Sequence, residues 1–547
     1  MTESGYETVQ AARYVATRGK FQTQVIRPLE LRYVRATPDA AIPDLRHAPL
    51  HLALTGAVLK ILHEVRPGEG DRGAVLLHLF LTLFAGVGTA WVARAIFPEW
   101  NRASHFLRAG ALFAFGGAAM SLALEPEPSV LAALFAPLLI LSLHRLDGEG
   151  KVVRSACWAG LAGLAWGLMF LSLYSTLVFL PILGLYVVLT ARRRTVATLA
   201  FFVVALALLA PVPLRALRAT GNPLFHPRLL ELVMYTTTYP DDTLYHLTSM
   251  PRSIPAYLAD GGAREVARKV GKSVFEYLPA GSSVIGPFLS ILFLGAGLIR
   301  FTDPRLNRLR ALGYGLFAAH LLGLALFFPA EQGAAALFVH VPLAAMLGAG
   351  FLEIVVRSRK LPRFQTSLAL LSWTAVACVP GLARYWTGED YSAPAVAMFD
   401  WLGVGDPQMR SYERNPKGIF GSDIPAEVAF RHAAPSVYLP ADSLEVAQVQ
   451  KILGHDFKAF FLSPQLAKNP AQEQTLQWWR ETQSKIVGYW GILGNIPAID
   501  RGEFSRRYEL TYPAALSDTL SEYRPMPIAE GNTGSYSLVF WYNNSRK

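Results

Sequence analysis

Two carboxylates sit where one apolar run gives way to the next. In MSLALEPEPSVLAALF, Glu125 and Glu127 alternate with Pro126 and Pro128. Proline suits the first position of a helix, and a carboxylate there complements the helix dipole, so Glu127 is placed to start a helix over 129–146. An acid beside hydrocarbon is also costly, and ionisable groups at membrane depth are functional candidates. A second acidic cluster opens the chain, where ESGYETVQAARYVATRGKF carries Glu3, Glu7 and Arg13 on a polar helix and is followed by Arg27 in QVIRPL. His47 and His51 are four apart with Pro49 between them, which falls short of the three or four ligands that zinc requires. No P-loop, Gly-x-Ser-x-Gly or dinucleotide glycine pattern occurs.

The elements that must hold these residues are set by composition. Of 547 residues, 52% are hydrophobic and 17% charged, against about 25% charged in a soluble globular protein. Mean hydropathy is +0.29. This balance predicts a polytopic helical membrane protein. The net charge of +11 matters less than where the charges fall. Cys157 and Cys378 both lie in apolar runs and offer no disulfide framework.

A crossing takes about 20 apolar residues. Runs over 74–97, 105–124, 129–146, 195–217, 284–301, 311–329, 335–356 and 364–386 meet that length. The run 155–190 contains no Asp, Glu, Lys or Arg and is too long for one traverse, so it is split around Tyr174–Thr176, giving ten spans. Five short links are basic: Arg94 to Arg108, Arg145 to Arg154, Arg192 to Arg194, Arg300 to Arg310, and Arg357 to Arg363. Positive charge retains short loops in the cytoplasm, so alternate loops are predicted to face one side. Residues 1–73, 218–283 and 387–547 then lie outside. The expected division is an external loop with juxtamembrane helices (1–73), a membrane bundle (74–386) and an extracytoplasmic α/β domain (387–547). PLHLALTGAVLKILHEV (49–65) is read as an interfacial helix. An outside N-terminus implies that a first membrane helix is missing from this sequence. In the C-terminal domain, SVYLP, LEVAQVQKILGHDF and KAFFLSP read as strand, helix and strand. The aromatics of WWRETQ and VFWY read as core of that domain.

The order of these motifs resembles the bacterial GT-C class integral-membrane glycosyltransferases, the group that includes protein O-mannosyltransferases and lipid A aminoarabinose transferases (glycosyltransferase family 39-like). The resemblance covers roughly residues 1–386. It rests on an acid in the first external loop (Glu3, with Glu7 as rival) and another in the next (Glu127, with Glu125 beside it). It rests also on the juxtamembrane Ala48-Pro49-Leu50, and on Arg215 followed by Gly221-Asn222-Pro223. The resemblance implies an inverting transfer of sugar from a polyprenyl-phosphate donor to an acceptor hydroxyl on a glycan, lipid or protein. An external carboxylate would take the hydroxyl proton, and arginine would hold the leaving phosphate. The stretch FLSLYSTL lacks the cation that relatives carry there, so donor-phosphate binding falls to Arg215, Arg218 or Arg27. No cofactor is expected, and no residue pattern supports a divalent metal or nucleic-acid binding. The resemblance places the protein in the plasma membrane. The competing reading is a transporter or non-catalytic lipid-carrier-binding protein of the same fold. A passage wants charged groups along it, and 129–143, 155–190 and 195–214 have none.

Overall fold

The computed structural model describes residues 3–37, 39–66, 71–97, 102–240, 242–360, 362–387, 418–422, 424–432, 434–441, 443–462, 523–530 and 535–542. Helices dominate. The first, α1 (Glu3–Arg18), packs on α2 (Pro49–Ile61), where Gly56 lets the two backbones approach: a Cβ there would meet the Ala12 carbonyl at 2.7 Å. Then follow α3 (Asp71–Ile96), α4 (Arg102–Phe115), the single turn α5 (Ala119–Leu122), α6 (Pro128–Leu146) and α7 (Val152–Ser172). After a 3-10 turn come α8 (Phe179–Thr190), α9 (Arg194–Leu209) and α10 (Pro211–Thr220). The chain continues through α11 (Ile254–Tyr257), α12 (Ala263–Ile285), α13 (Pro287–Gly295) and α14 (Pro304–Phe327). The last helices before residue 388 are α15 (Ala330–Gly333), α16 (Val341–Ser358) and α17 (Arg363–Thr387).

Among the described residues, six helical stretches are long and apolar enough to cross a membrane: Arg72–Ile96, Pro128–Leu146, Val152–Ser172, Arg194–Thr220, Pro304–Phe327 and Ala330–Ser358. A seventh candidate is the pair Ile254–Ile285 and Pro287–Leu298, bent by 103°. Their outward faces are apolar, as at Phe80, Leu83 and Phe84 on α3 and Leu199 and Val203 on α9. Inward, small residues set the spacing. A Cβ on Gly163 of α7 would meet the Phe201 carbonyl of α9 at 2.5 Å, the close approach that lets membrane helices pack by dispersion.

The charge-free run 155–190 divides where its length required. Leu173 leaves the helical region, residues Tyr174–Val178 form a 3-10 turn, and the Trp166 indole donates to the Thr176 carbonyl at 3.0 Å. Against the ten spans expected, six helical stretches, or seven with the bent pair, are long and apolar enough among the described residues, and Tyr174–Thr190 and Gln365–Val379 are shorter apolar helices; two further expected runs are interrupted. The run 105–124 is not one helix, because α4 ends at Phe115. The run 284–301 is not one helix either, because Val284 and Ile285 finish the amphipathic α12 and the chain turns at Gly286. The two interruptions have a common cause. The backbones of Gly116-Gly117 and Val284–Gly286 cross in contact, with the Ala118 amide donating to the Val284 carbonyl at 2.9 Å. Gly286 has φ +100, and a Cβ there would lie 1.5 Å from the Gly116 carbonyl oxygen. Hydropathy scores side chains and misses a crossing that depends on their absence. Gly286→Ala is therefore expected to lower the yield of folded protein sharply, as read by size-exclusion profile and melting in detergent, whereas Gly271→Ala, with open space at its Cβ, should be neutral.

All five basic links gather at one end of the bundle. The Arg193 Nε donates to the Gly150 carbonyl, Arg308 pairs with Asp147 at 2.7 Å, and Phe97 packs on Phe301 and His105. Buried Glu353 bridges Arg108 and Arg357 there. Glu127 and Arg145 occupy opposite ends of α6, whose 19 residues span roughly 28 Å.

At the Glu127 end lies a mixed sheet. Strand β1 (Gln22–Thr23) pairs antiparallel with β3 (Ile42–Pro43). Strand β2 (Val25–Ile26) joins a six-stranded sheet with β4 (Ile419–Ser422), β5 (Ser436–Tyr438), β6 (Phe457–Leu462), β7 (Tyr523–Glu530) and β8 (Ser535–Tyr542), in the order β2-β5-β4-β6-β8-β7. The expected strand, helix and strand are β5, α19 (Ser443–Leu453) and β6. The parallel register of β2 with β5 ties residues near the N-terminus to this sheet. On α18 (Pro425–His432), Phe430 stacks near Tyr6 and its carbonyl accepts from Arg13 at 2.9 Å. WWRETQ lies outside the described residues, while VFWY falls in β8.

Candidate active site

Between the sheet and the helix ends, charged residues from distant parts of the chain are buried together. Extended backbone after α1 carries Arg27 back under that helix. Its two terminal nitrogens donate to both oxygens of Glu7, at 2.8 and 2.9 Å. A third bond reaches the Tyr438 hydroxyl at 3.2 Å, and the guanidinium lies over the Tyr438 and Tyr245 rings. Burial alone would raise the Glu7 pKa, but Arg27, with smaller help from His47 and Arg46, holds it at about 2. Beside this pair, Arg46 donates to Glu231 at 2.8 Å and pairs with Glu30, and the Tyr245 hydroxyl donates to Glu231. Lys269 closes the cluster on the Glu231 carbonyl at 2.8 Å.

Within this network Arg27 Nε and one carboxylate oxygen of Glu231 have no hydrogen-bond partner among the described residues, while the Glu7–Arg27 pair, whose two members are sequence candidates for different roles, is bonded through both oxygens. Glu7 and Arg27 occupy each other. Breaking a buried pair leaves a bare charge, so Arg27→Met is expected to destabilise the fold by about 3–5 kcal/mol, while Glu7→Leu combined with Arg27→Met recovers most of the loss. Thermal unfolding in detergent checks both.

The adjoining groups are less satisfied. Asp44 accepts the amides of Arg46 and His47 and the His47 ring Nδ1 at 2.9 Å. Burial opposes ionisation, yet His47 and Arg215 hold the Asp44 carboxyl well below the usual range. Burial likewise opposes charging of His47, but Asp44 and Glu7 raise its pKa. Arg215, on α10, lies with its guanidinium 4.8 Å from the Phe21 ring centroid, and its Nε and both terminal nitrogens are buried without a hydrogen-bond partner among the described residues. A buried guanidinium with no acceptor is expensive. His226 accepts the Arg228 amide through Nδ1 and meets Tyr174 edge to face at 5.0 Å. Burial, then Arg228, Arg46 and Arg215, push its pKa down to about 3, so it stays neutral.

Glu127 is the N-cap of α6, in extended conformation, with Pro128 at the first helical position. It makes no ion pair among the described residues. Burial and the neighbouring Glu125 carboxylate raise its pKa to about 7, against smaller opposing pulls from Ser129 and Arg228. Arg228 is thus an electrostatic neighbour of both Glu127 and His226, and Arg215 acts on Asp44 and His226. Glu3 starts α1 one turn before Glu7, and its side chain lies outside the described residues. Arg218 is exposed one turn beyond Arg215.

Sequence reading missed Asp44, Arg46, His226, Arg228 and Glu231. The spacing Asp44-x-x-His47 just before Pro49 is the one local signal that points to this pair. His51 instead meets His78, ring nitrogen to ring nitrogen, at 2.9 Å. Among the described residues no group of three His, Cys, Asp or Glu is arranged to hold a metal.

No family model and no curated protein sequence matches this chain. Solved structures do. The archaeal oligosaccharyltransferase AglB from Archaeoglobus fulgidus, in complex with an inhibitory peptide and a dolichol-phosphate, aligns with TM-score 0.54 at 12% identity over 85% of this chain and 65% of its own. The same oligosaccharyltransferase in complex with Zn and sulfate gives 0.55 at 13% identity, over 87% and 65%. ArnT from Cupriavidus metallidurans bound to undecaprenyl phosphate gives 0.49 at 12% identity, over 85% and 89%. The chain spans about two thirds of the oligosaccharyltransferase, and identities this low speak to architecture alone. That architecture is the fold this chain shares with the archaeal oligosaccharyltransferase structures.

Proposed function

We propose that the protein transfers a sugar from a polyprenyl-phosphate-linked donor to an acceptor hydroxyl at the outer face of the plasma membrane, with inversion at the anomeric carbon. The observation that carries this reading is Arg215: three buried nitrogens without an acceptor among the described residues, on a side chain that acts with Arg228 on the neutral His226, form a place for an anion. A phosphate supplies the missing acceptors through charge-assisted bonds. The likeness in fold to AglB, solved with a dolichol-phosphate, supports a lipid-linked phosphate as that anion.

In this reading the acceptor oxygen attacks the anomeric carbon and its proton passes to Glu127. The bond from that carbon to the phosphate oxygen breaks, and its electron pair leaves on the polyprenyl phosphate, whose charge Arg215 stabilises. A carboxylate with a pKa near 7 is suited to accept a proton at neutral pH. Burial, with Glu125, keeps that pKa high, Glu3 is the second acid of the site, and Arg218 is left at the rim. Glu7 and Arg27 hold the scaffold. The sheet containing β2 and β5 stands at the same end and would meet the acceptor. Undecaprenyl phosphate titrated into the purified protein tests the proposal: saturable binding is expected, and no binding above that of dolichol or undecaprenol without phosphate would overturn it.

The transporter reading finds less support. Among the described residues the charged groups concentrate at the two ends of the bundle, and α8 and α9 beyond Arg194 carry none.

A further inference from the structure

The end of the bundle remote from Glu127 holds two adjoining cavities, of about 700 and 430 Å³. They share Arg145, Asp303 and Arg305 as a common wall. Their carboxylates are already engaged. Asp147 takes two bonds from Arg308, Asp303 pairs with Arg305 at 2.9 Å, and Glu149 accepts the Lys151 amide. Three lining guanidiniums have no such partner among the described residues: Arg94, Arg145 and Arg154. We propose that these cavities bind the phosphate headgroup of an anionic phospholipid. The site is independent of the transfer proposed for the other end.

A lipid fits better than a soluble anion because of what stands one turn deeper in the bundle. Helix α3 runs toward this end, and Trp91 precedes Arg94 by three residues on the same face. Helix α7 runs away from it, and Trp158 follows Arg154 by four. Each arginine therefore has a tryptophan on its membrane side, and both indoles line the cavities, Trp91 remaining 54% exposed. Indoles favour the headgroup level, where one edge is wet and the other apolar. Val87 and Phe84, one and two turns deeper than Trp91 on α3, extend the exposed apolar surface, giving acyl chains a place to lie. Basic pockets between helix ends are suited to lipid headgroups. Positive charge at this end also retains short loops, and the experiment separates that role from a binding site.

The full-length protein in detergent is incubated with equal amounts of phosphatidylglycerol and phosphatidylcholine, and retained lipid is counted by native mass spectrometry. The expected result is preferential retention of phosphatidylglycerol, reduced at least fivefold in the triple variant Arg94→Gln, Arg145→Gln, Arg154→Gln. A control triple, Arg300→Gln, Arg359→Gln, Lys360→Gln, removes the same charge from the same end outside the cavities and should retain the preference. Equal losses in both triples would show general electrostatic attraction and overturn the site, as would no loss in the first. Displacement of the lipid by equimolar glycerol 3-phosphate would overturn its lipid character. Melting curves of both triples confirm that each is folded, which is expected because Arg94, Arg145 and Arg154 are exposed.

Discussion

Arg215→Gln is expected to weaken binding of undecaprenyl phosphate at least tenfold and to slow sugar transfer by about 10²–10³-fold, the usual consequence of removing one preorganised donor to a developing negative charge. The size follows from its surroundings. In the wild type the guanidinium sits over Phe21 with all three nitrogens desolvated and without a hydrogen-bond partner among the described residues, so the cost of dehydrating it is already met before the ligand arrives. The arriving phosphate then gains nearly the full strength of the bonds. Glutamine keeps a donor but loses the charge and the fork. Arg218→Gln is the internal comparison, since that side chain is exposed and an exposed charge is screened by water. It should change binding by less than about threefold. Folding does not confound the result, because among the described residues Arg215 makes no ion pair whose loss would strand a partner. Equal binding by the Arg215 and Arg218 variants would remove Arg215 from the donor site.

Glu127→Gln should lower transfer by about 10²–10⁴-fold, the range for loss of a general base, with undecaprenyl phosphate binding kept within a few-fold. The pH dependence is the sharper measurement. With a pKa of about 7, Glu127 is protonated and idle at pH 5.5 and ionised at pH 8.5, so wild-type transfer should rise through pH 7 and level off. Glu125→Gln removes the neighbouring negative charge and should shift that rise to lower pH. Stability has the opposite sign. The folded pKa exceeds the unfolded value of 4.5, so the contribution is fully present below pH 4.5 and is lost as pH rises through 7. Glu127→Gln, neutral at every pH, should therefore raise the melting temperature at pH 8 and change it little at pH 4.5. An inactive variant with an unchanged melting temperature at pH 8 would mean that burial does not control this carboxyl.

One acid from each of the two clusters in the sequence, Glu127 and Glu7, makes the contrast. Glu127 could be placed from local sequence, because a proline-flanked carboxylate before an apolar run starts a helix wherever the rest of the chain lies. Glu7 could not be assigned, because its pKa of about 2 comes from Arg27 folding back beneath α1. The same holds for Arg46, whose partner Glu231 is 185 residues away. A buried ion pair is specified by two positions that share no periodicity, so neither partner announces the other.

By itself the sequence determined the membrane class, most of the helix order, the break near Tyr174 and the grouping of the basic loops at one end. These are sums over neighbouring side chains, and transfer from water to hydrocarbon is nearly additive along the chain. Tertiary structure alone decided which charges are consumed in pairs and which remain open, that β2 enters the sheet near the C-terminus, and that Gly116-Gly117 and Gly286 interrupt two apolar runs. Each of these depends on atoms far apart in sequence competing for the same space or the same partner, and hydropathy carries no record of that competition.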